Sequence, residues 1–371
     1  VKRVKRVLLT TRDGKPGMIG TLVAKELATR GVEIAVVAEG LSLEKWKKAG
    51  FVDAIFAEGP LKIDEPWGIS APAILSEVRP DVVVIGLSSP IRAEAWFASA
   101  TRPQGTLFSG IPLVALDDNW GATYRCPTPA DLVLTIDELG KRLVEQNPAY
   151  AEHNYRVEII GDLSASAASE PIPQATIDAF NKAKGGADYA FLLCSQKWPE
   201  STEIIDIALA SCAKSLENGA KLVVIPRFHP GASSELRNRL NEKMMLFAER
   251  YQTSVSILVD HSISTDHLAT LADGTFAATG SALRAAAYAG KIPICVWTPA
   301  LGEKLKAESG MEHHPLLMSF GGLALGLNEP LDVVGHLFMV GDLVRTNQKK
   351  ILQPVPFDVG KAADAIVALM Q

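Results

Sequence analysis

Two short segments in the C-terminal half of this 371-residue chain hold the residue types best suited to chemistry. The first is Val223-Val224-Ile225-Pro226-Arg227-Phe228-His229-Pro230-Gly231. The second is Gly274-Thr275-Phe276-Ala277-Ala278-Thr279-Gly280-Ser281, which continues through small residues to Gly290-Lys291-Ile292-Pro293. Each reads as a buried strand, a tight polar turn and a helix start. Arg227 offers a forked set of donors and His229 a ring N–H or a full cation, both suited to negative charge developing on a leaving phosphate. Free N–H groups at the helix start after Thr279-Gly280-Ser281 also attract phosphate, and Gly280 lets it approach the backbone. The plainer alternatives are His229 capping its own turn, Arg227 as a surface charge, and Ser281 or Thr279 as an ordinary helix cap. Two such turns in one α/β domain are well placed to hold a diphosphate, so a nucleotide-linked substrate is the leading reading.

Other polar clusters are less specific. Asp117-Asp118-Asn119-Trp120 closes a strand; adjacent acids can activate a hydroxyl or raise one another's pKa, and Trp120 could stack on a sugar ring or pack beneath a solvated turn. The loop Thr11–Gly20 carries Asp13 among three glycines, but Gly14-x-x-Gly17-x-x-Gly20 is not the GxGxxG pattern, so dinucleotide binding is weakly signalled even with Glu39 ending the next strand. Asp260–His267 opens a helix, with Ser264 or Thr265 as candidate cap. His313-His314-Pro315 lacks a Cys or acid at ligand spacing and reads as a loop. Cys126, Cys194, Cys212 and Cys295 match no zinc or redox spacing and read as small core residues.

These turns need a scaffold. Near-continuous β-branched runs, such as Asp81–Leu87 and Lys221–Ile225, alternate with helical patterns along both halves, which argues for parallel sheets covered on both faces and doubly wound topology. Strands are expected at Val4–Thr10, Glu33–Ala38, Asp53–Phe56, Ile111–Leu116, Asp131–Ile136, Arg156–Ile160, Tyr189–Cys194, Val255–Val259, Thr275–Ala278 and Ile292–Trp297. The fold class is therefore α/β: an N-terminal Rossmann-like domain over 1–165, a Ser-, Ala- and Pro-rich connection over 166–187, a second Rossmann-like domain over 188–355, and a C-terminal helix within 356–371 that can pack back on the first. The composition, 47% hydrophobic and 21% charged, supports two ordinary cores. A formal net charge of −5 gives no footprint for non-specific nucleic-acid binding. No signal peptide or run of 18 apolar residues is present, so a cytoplasmic protein without a membrane span is expected. Peripheral membrane contact and a homodimer stay open.

Tandem Rossmann-like domains with a central connection and a C-terminal helix resemble the GT-B glycosyltransferase superfamily, which includes the non-hydrolysing UDP-N-acetylglucosamine 2-epimerases. Arg156–Asp162 looks like the strand and glycine turn that close a GT-B N-terminal domain. Arg227-Phe228-His229-Pro230 is similar to the His-Pro motif of bacterial sialyltransferases and of glycerol-phosphate or Kdo transferases. Ala272–Ser281 resembles the donor-side strand, turn and helix of many GT-B enzymes. The chain departs from the pattern after Ser281: many family members place a ribose-binding Glu there, whereas this helix reads Ala282-Leu283-Arg284-Ala285.

The resemblance implies a nucleotide-activated sugar held in an interdomain cleft and transferred to a hydroxyl acceptor. Arg227, His229, Thr279, Gly280 and Ser281 would hold phosphate, Thr265 or Asp266 would read a base edge or ribose hydroxyl, and Asp13 or Asp118 would take the acceptor proton, with His229 also catalytic. Neither a metal nor a cofactor beyond the donor is required. A sugar-nucleotide epimerase or hydrolase is the second expectation, disfavoured by Arg-Phe-His-Pro where epimerases carry His-Arg-x-Glu-Asn. A non-catalytic binding or assembly protein is the third.

Overall fold

A computed structural model describes residues 4–54, 71–89, 91–102, 108–126, 128–252, 254–259, 263–309 and 323–371. The chain forms two compact units. The first is built from the chain up to Asp162 together with Phe357–Gln371, the second mainly from Leu163 to Pro356.

The first unit runs β1 (Arg6–Thr11), α1 (Gly14–Thr29), β2 (Glu33–Ala38), α2 (Gly40–Lys48), α3 (Ala71–Val78), β3 (Val82–Gly86), α4 (Ala93–Ala100), β4 (Leu113–Asp117), β5 (Leu132–Thr135), α5 (Glu138–Gln146) and β6 (Arg156–Ile159). Its parallel sheet has the order β2-β1-β3-β4-β5-β6. β3 and β4 are buried along their whole length, because helices cover both faces of a parallel sheet.

The second unit runs α6 (Leu163–Ser169), α7 (Gln174–Lys184), β7 (Tyr189–Cys194), α8 (Ser201–Glu217), β8 (Leu222–Arg227), α9 (Ser234–Arg250), β9 (Val255–Ile257), α10 (Thr265–Leu271), β10 (Gly274–Ala277), α11 (Ser281–Tyr288), β11 (Ile292–Val296), α12 (Pro299–Ser309), β12 (Leu325–Leu327) and α13 (Val333–Ile351). Its sheet, also parallel, has the order β12-β11-β10-β7-β8-β9. Phe191, Phe276, Ile204, Leu240 and Leu337 join sheet and helices in one core. Each such side chain contributes roughly 1.5–3 kcal/mol by leaving water.

The fold is α/β with two doubly wound parallel sheets. Several local readings change. Residues 166–187, read above as a connection, hold most of α6 and all of α7, and both belong to the second unit. At Asp53 the chain makes a 3₁₀ turn, Val52–Ala54, rather than a strand; residues 55 and 56 lie outside the described part. β12 and the 19-residue α13 have no counterpart in the sequence reading. The final helix, α14 (Val359–Ala368), packs on α1 within the first unit, with Asp364 paired to Arg30 and the Asp358 N–H donating to Ile160 O at 2.7 Å.

The glycine-rich first loop is shorter than expected. α1 already begins at Gly14, so Gly17 and Gly20 lie inside the helix. A Cβ on Gly17 would fall 2.5 Å from Ser42 Cβ and 2.9 Å from its Cα. The glycine therefore permits close approach of α1 and α2 rather than a turn.

Candidate functional site

In open parallel sheets, ligands bind beyond the carboxyl ends of the strands, where the strand order reverses. The first sheet reverses between β1 and β3, the second between β7 and β10.

At the second unit's reversal, three strands end in polar turns that are tied together. Ser195, after β7, donates its N–H to Arg227 O at 2.9 Å, and its hydroxyl accepts the His229 N–H at 3.0 Å. Gln196 donates its side-chain amide to Thr279 O at 2.7 Å, which couples the β7 loop to the turn before α11. That turn needs Gly280, whose φ of +121° is a conformation that L side chains rarely adopt. Arg227 is 6% exposed at the end of β8, with Nη1 donating to Pro226 O at 2.9 Å. His229 Nδ1 accepts the Gly231 N–H at 2.9 Å. This bond assigns the proton of the neutral imidazole to Nε2 and leaves that edge as the donor.

Asp266, near the start of α10, sits against α11: its Oδ1 accepts the Ser281 hydroxyl at 3.0 Å. Its Oδ2 lies 3.4 Å from the hydroxyl of Ser164 on α6. Burial pushes the Cys194 thiol up to about 12, with Asp266 adding to the rise and Arg227 opposing it, so both charges are felt at the end of β7. The structure thus gathers Arg227, His229, Thr279, Gly280, Ser281 and Asp266 around the ends of β7, β8 and β10. Thr265 is half-buried as the first residue of α10. Arg284 is 1% exposed within α11. Asp260, His261 and Ser262 lie outside the described residues.

The first unit's reversal has the opposite character. Asp13 occupies the N-cap position of α1 without capping it; its Oδ2 instead accepts the Ser89 N–H at 2.8 Å. The Ser88 hydroxyl accepts the N–H groups of Arg12 and Asp13 at 3.2 and 3.0 Å and donates to Glu94 Oε1 at 2.5 Å. Glu94 is fully buried, and burial pushes its carboxyl up to about 8 despite the bonds from Ser88 and the Arg92 N–H. Burial likewise pushes Glu39 up to about 7, opposed by Arg12 and Arg92. Lys15 pairs with buried Asp162 at 2.9 Å.

Asp118 follows β4, with β3 lying between β4 and β1. Two inter-strand steps put it roughly 10 Å from the end of β1, so Asp13 and Asp118 are separate candidates rather than a pair. Asp118 is buried beside Asp117, whose carboxyl is pushed up to about 8, first by burial and then by Asp118, against the hydroxyl of Thr135. Trp120 is buried, with Nε1 donating to both Asp137 carboxylate oxygens at 3.0 Å. It is packed beneath the turn, and the sugar-stacking alternative is set aside.

Sequence reasoning passed over Ser88, Glu94, Ser195, Gln196 and Ser164. A signal existed for Ser195 and Gln196, which directly follow the apolar run Tyr189–Cys194. Glu94, three residues into an ordinary helical pattern, gave none.

No protein-family model matches the sequence, and no curated protein matches it by sequence comparison. Solved structures do match in fold. MnaA of S. aureus, in a co-structure with UDP, aligns with a TM-score of 0.63 at 10% identity over 98% of this chain and 95% of that one. MurG of Acinetobacter baumannii aligns at 0.60 and 14% identity over 98% and 99%. The UDP-GlcNAc 2-epimerase of Methanocaldococcus jannaschii aligns at 0.56 and 14% identity over 99% of both chains. The chain has the GT-B fold. At the second sheet's reversal Arg227 and His229 lie with Asp266, and at the first Asp13, Glu39 and Glu94 lie with Arg12 and Arg92. Among the described residues no group of three or more His, Cys, Asp or Glu side chains could hold a metal ion, and His313 and His314 lie outside them. No described helix is long and apolar enough to cross a membrane.

Proposed function

We propose that this chain binds a nucleotide-activated sugar, with its phosphate at the second unit's strand reversal, and transfers the glycosyl group to a hydroxyl acceptor. The observation that carries the reading is the coupling of Arg227, His229 and the Thr279-Gly280-Ser281 turn through Ser195 and Gln196. Donors fixed before the ligand arrives need no reorganisation when charge develops on the leaving phosphate. The UDP bound to MnaA and the UDP-GlcNAc named for the epimerase relatives support the ligand class.

In this reading Arg227 and the Nε2–H of His229 stabilise the departing phosphate, and Asp13 takes the acceptor proton. The Ser89 N–H orients the Asp13 carboxylate, while the Ser88 hydroxyl accepts the Asp13 backbone N–H. Epimerisation or hydrolysis of the same ligand is the second reading. The group that reading would draw on is Glu39, whose carboxyl burial pushes up to about 7.

Calorimetric titration with UDP-, CDP-, GDP- and CMP-sugars tests the ligand class, and nuclear magnetic resonance of the bound sugar nucleotide separates transfer, epimerisation and hydrolysis. Absence of binding by all four at millimolar concentration overturns the proposal.

A further inference from the structure

The place of Asp266 bears on which phosphate chain the second unit accepts, and the argument rests on the ligand reading above. Its carboxylate accepts the Ser281 hydroxyl at 3.0 Å, and its other oxygen faces the Ser164 hydroxyl at 3.4 Å. Hydroxyls from α11 and α6 thus hold one carboxylate between them. Ser281 opens α11 directly after the Gly280 turn, so the protein has placed a negative charge of its own among the groups that would receive phosphate.

We infer that Asp266 is a specificity-determining residue that selects by phosphate charge: the site favours a nucleoside monophosphate linkage over the diphosphate of the same base. A diphosphate brings one more negative charge than a monophosphate, whether free or sugar-linked. That charge arrives beside a fixed carboxylate whose hydroxyl partner is already engaged. At a separation of about 6 Å and an effective dielectric intermediate between protein and water, one added charge weakens binding about tenfold.

The test titrates UMP and UDP, CMP and CDP, and GMP and GDP against the full chain and against Asp266→Asn. Asparagine keeps the size and still accepts the Ser281 hydroxyl while removing the charge. The expected result is that the wild-type chain binds the monophosphate of its preferred base at least as tightly as the diphosphate, and that Asp266→Asn shifts the ratio about tenfold toward the diphosphate. A wild-type preference for the diphosphate, or a ratio unchanged by Asp266→Asn, overturns the inference while leaving nucleotide binding standing. Failure of all six nucleotides to bind either protein overturns the ligand reading and the inference with it. Should the variant not fold, salt titration of the wild-type chain decides: the monophosphate preference shrinks as ionic strength rises if charge sets it, and a salt-independent preference overturns it.

Discussion

The two strand reversals of this chain share a scaffold and differ in chemistry. In the first, β1 and β3 end in a network whose deepest members are acids: Glu94 and Glu39 are buried and both pushed toward neutrality. In the second, β7, β8 and β10 end in turns that carry Arg227, His229 and a glycine-opened helix start. The first unit holds Asp13 by the Ser89 N–H at its carboxylate and by Ser88, itself bonded to buried Glu94, at its backbone. The second arranges donors and cations, with the acid Asp266 among them. Ligands of open parallel sheets bind at strand reversals, and the function proposed above assigns the anion to the second and the proton transfer to the first.

The sharpest way to break this contrast is to remove the cation. Arg227→Ala is expected to weaken binding of the preferred nucleotide roughly 30-fold or more, since a charge-assisted bond to phosphate contributes about 2–3 kcal/mol. Asp13→Ala is expected to leave that affinity within about twofold and to abolish turnover. Titration calorimetry on both variants checks this. Equal loss of binding in both would mean that the nucleotide does not distinguish the two units.

The acid network predicts a pH signature. The Glu94 pKa is raised from 4.5 to about 8 in the folded protein. Between those values the folded chain binds more protons than the unfolded one, so its contribution is complete below about pH 4.5 and is lost as pH rises toward 8. With about 1.4 kcal/mol per pKa unit, the loss is a few kcal/mol. Urea melts from pH 5 to 8 should show falling stability in the wild-type chain and a flatter profile in Glu94→Gln. Identical slopes would place the proton elsewhere.

Both sheets were legible because buried parallel strands leave near-continuous runs such as Val82-Val83-Val84-Ile85. The turns at His229 and Ser281 were legible for the same reason: they follow such runs immediately. What escaped depends on contacts across the chain. Glu94 is written in Ala-Glu-Ala-Trp-Phe-Ala-Ser-Ala like any surface acid of a helix, and only its bond to Ser88 on the preceding loop shows where it points. Asp266 read as a candidate ligand for a ribose, because the sequence holds no trace of its bond to Ser281 fifteen positions on. α13 was missed because Gly335, Gly341 and a Val-rich start lower helix propensity, and packing against α8 and β11 overrides it. In α1 the glycines read as loop until Ser42 and Trp46 of α2 are seen against Gly17 and Gly20.

That last point yields a stability prediction remote from either reversal. Gly17→Ala would force a methyl into Ser42 Cβ and backbone, and overpacking of this kind costs about 1–3 kcal/mol. Thermal melting should show the loss with the nucleotide affinity of the second unit unchanged. A melting point equal to wild type would mean that α2 yields to the added methyl.

The smallest effect separates packing from recognition in the first unit. Trp120 lies at the end of the β4 turn, where an aromatic face could have met a sugar ring. It is buried, and its indole N–H is spent on Asp137, whose Oδ1 also accepts the Gly140 N–H at 2.8 Å at the start of α5. Trp120→Phe retains most of the buried area and removes one charge-assisted donor, so it should cost about 1–2 kcal/mol of stability, with Asp137 keeping its bond to α5. Affinity for the sugar nucleotide should not move. If instead the free nucleotide binds as before while the sugar nucleotide binds more weakly, Trp120 contacts the sugar after all. The first unit would then contribute a recognition surface as well as its acids.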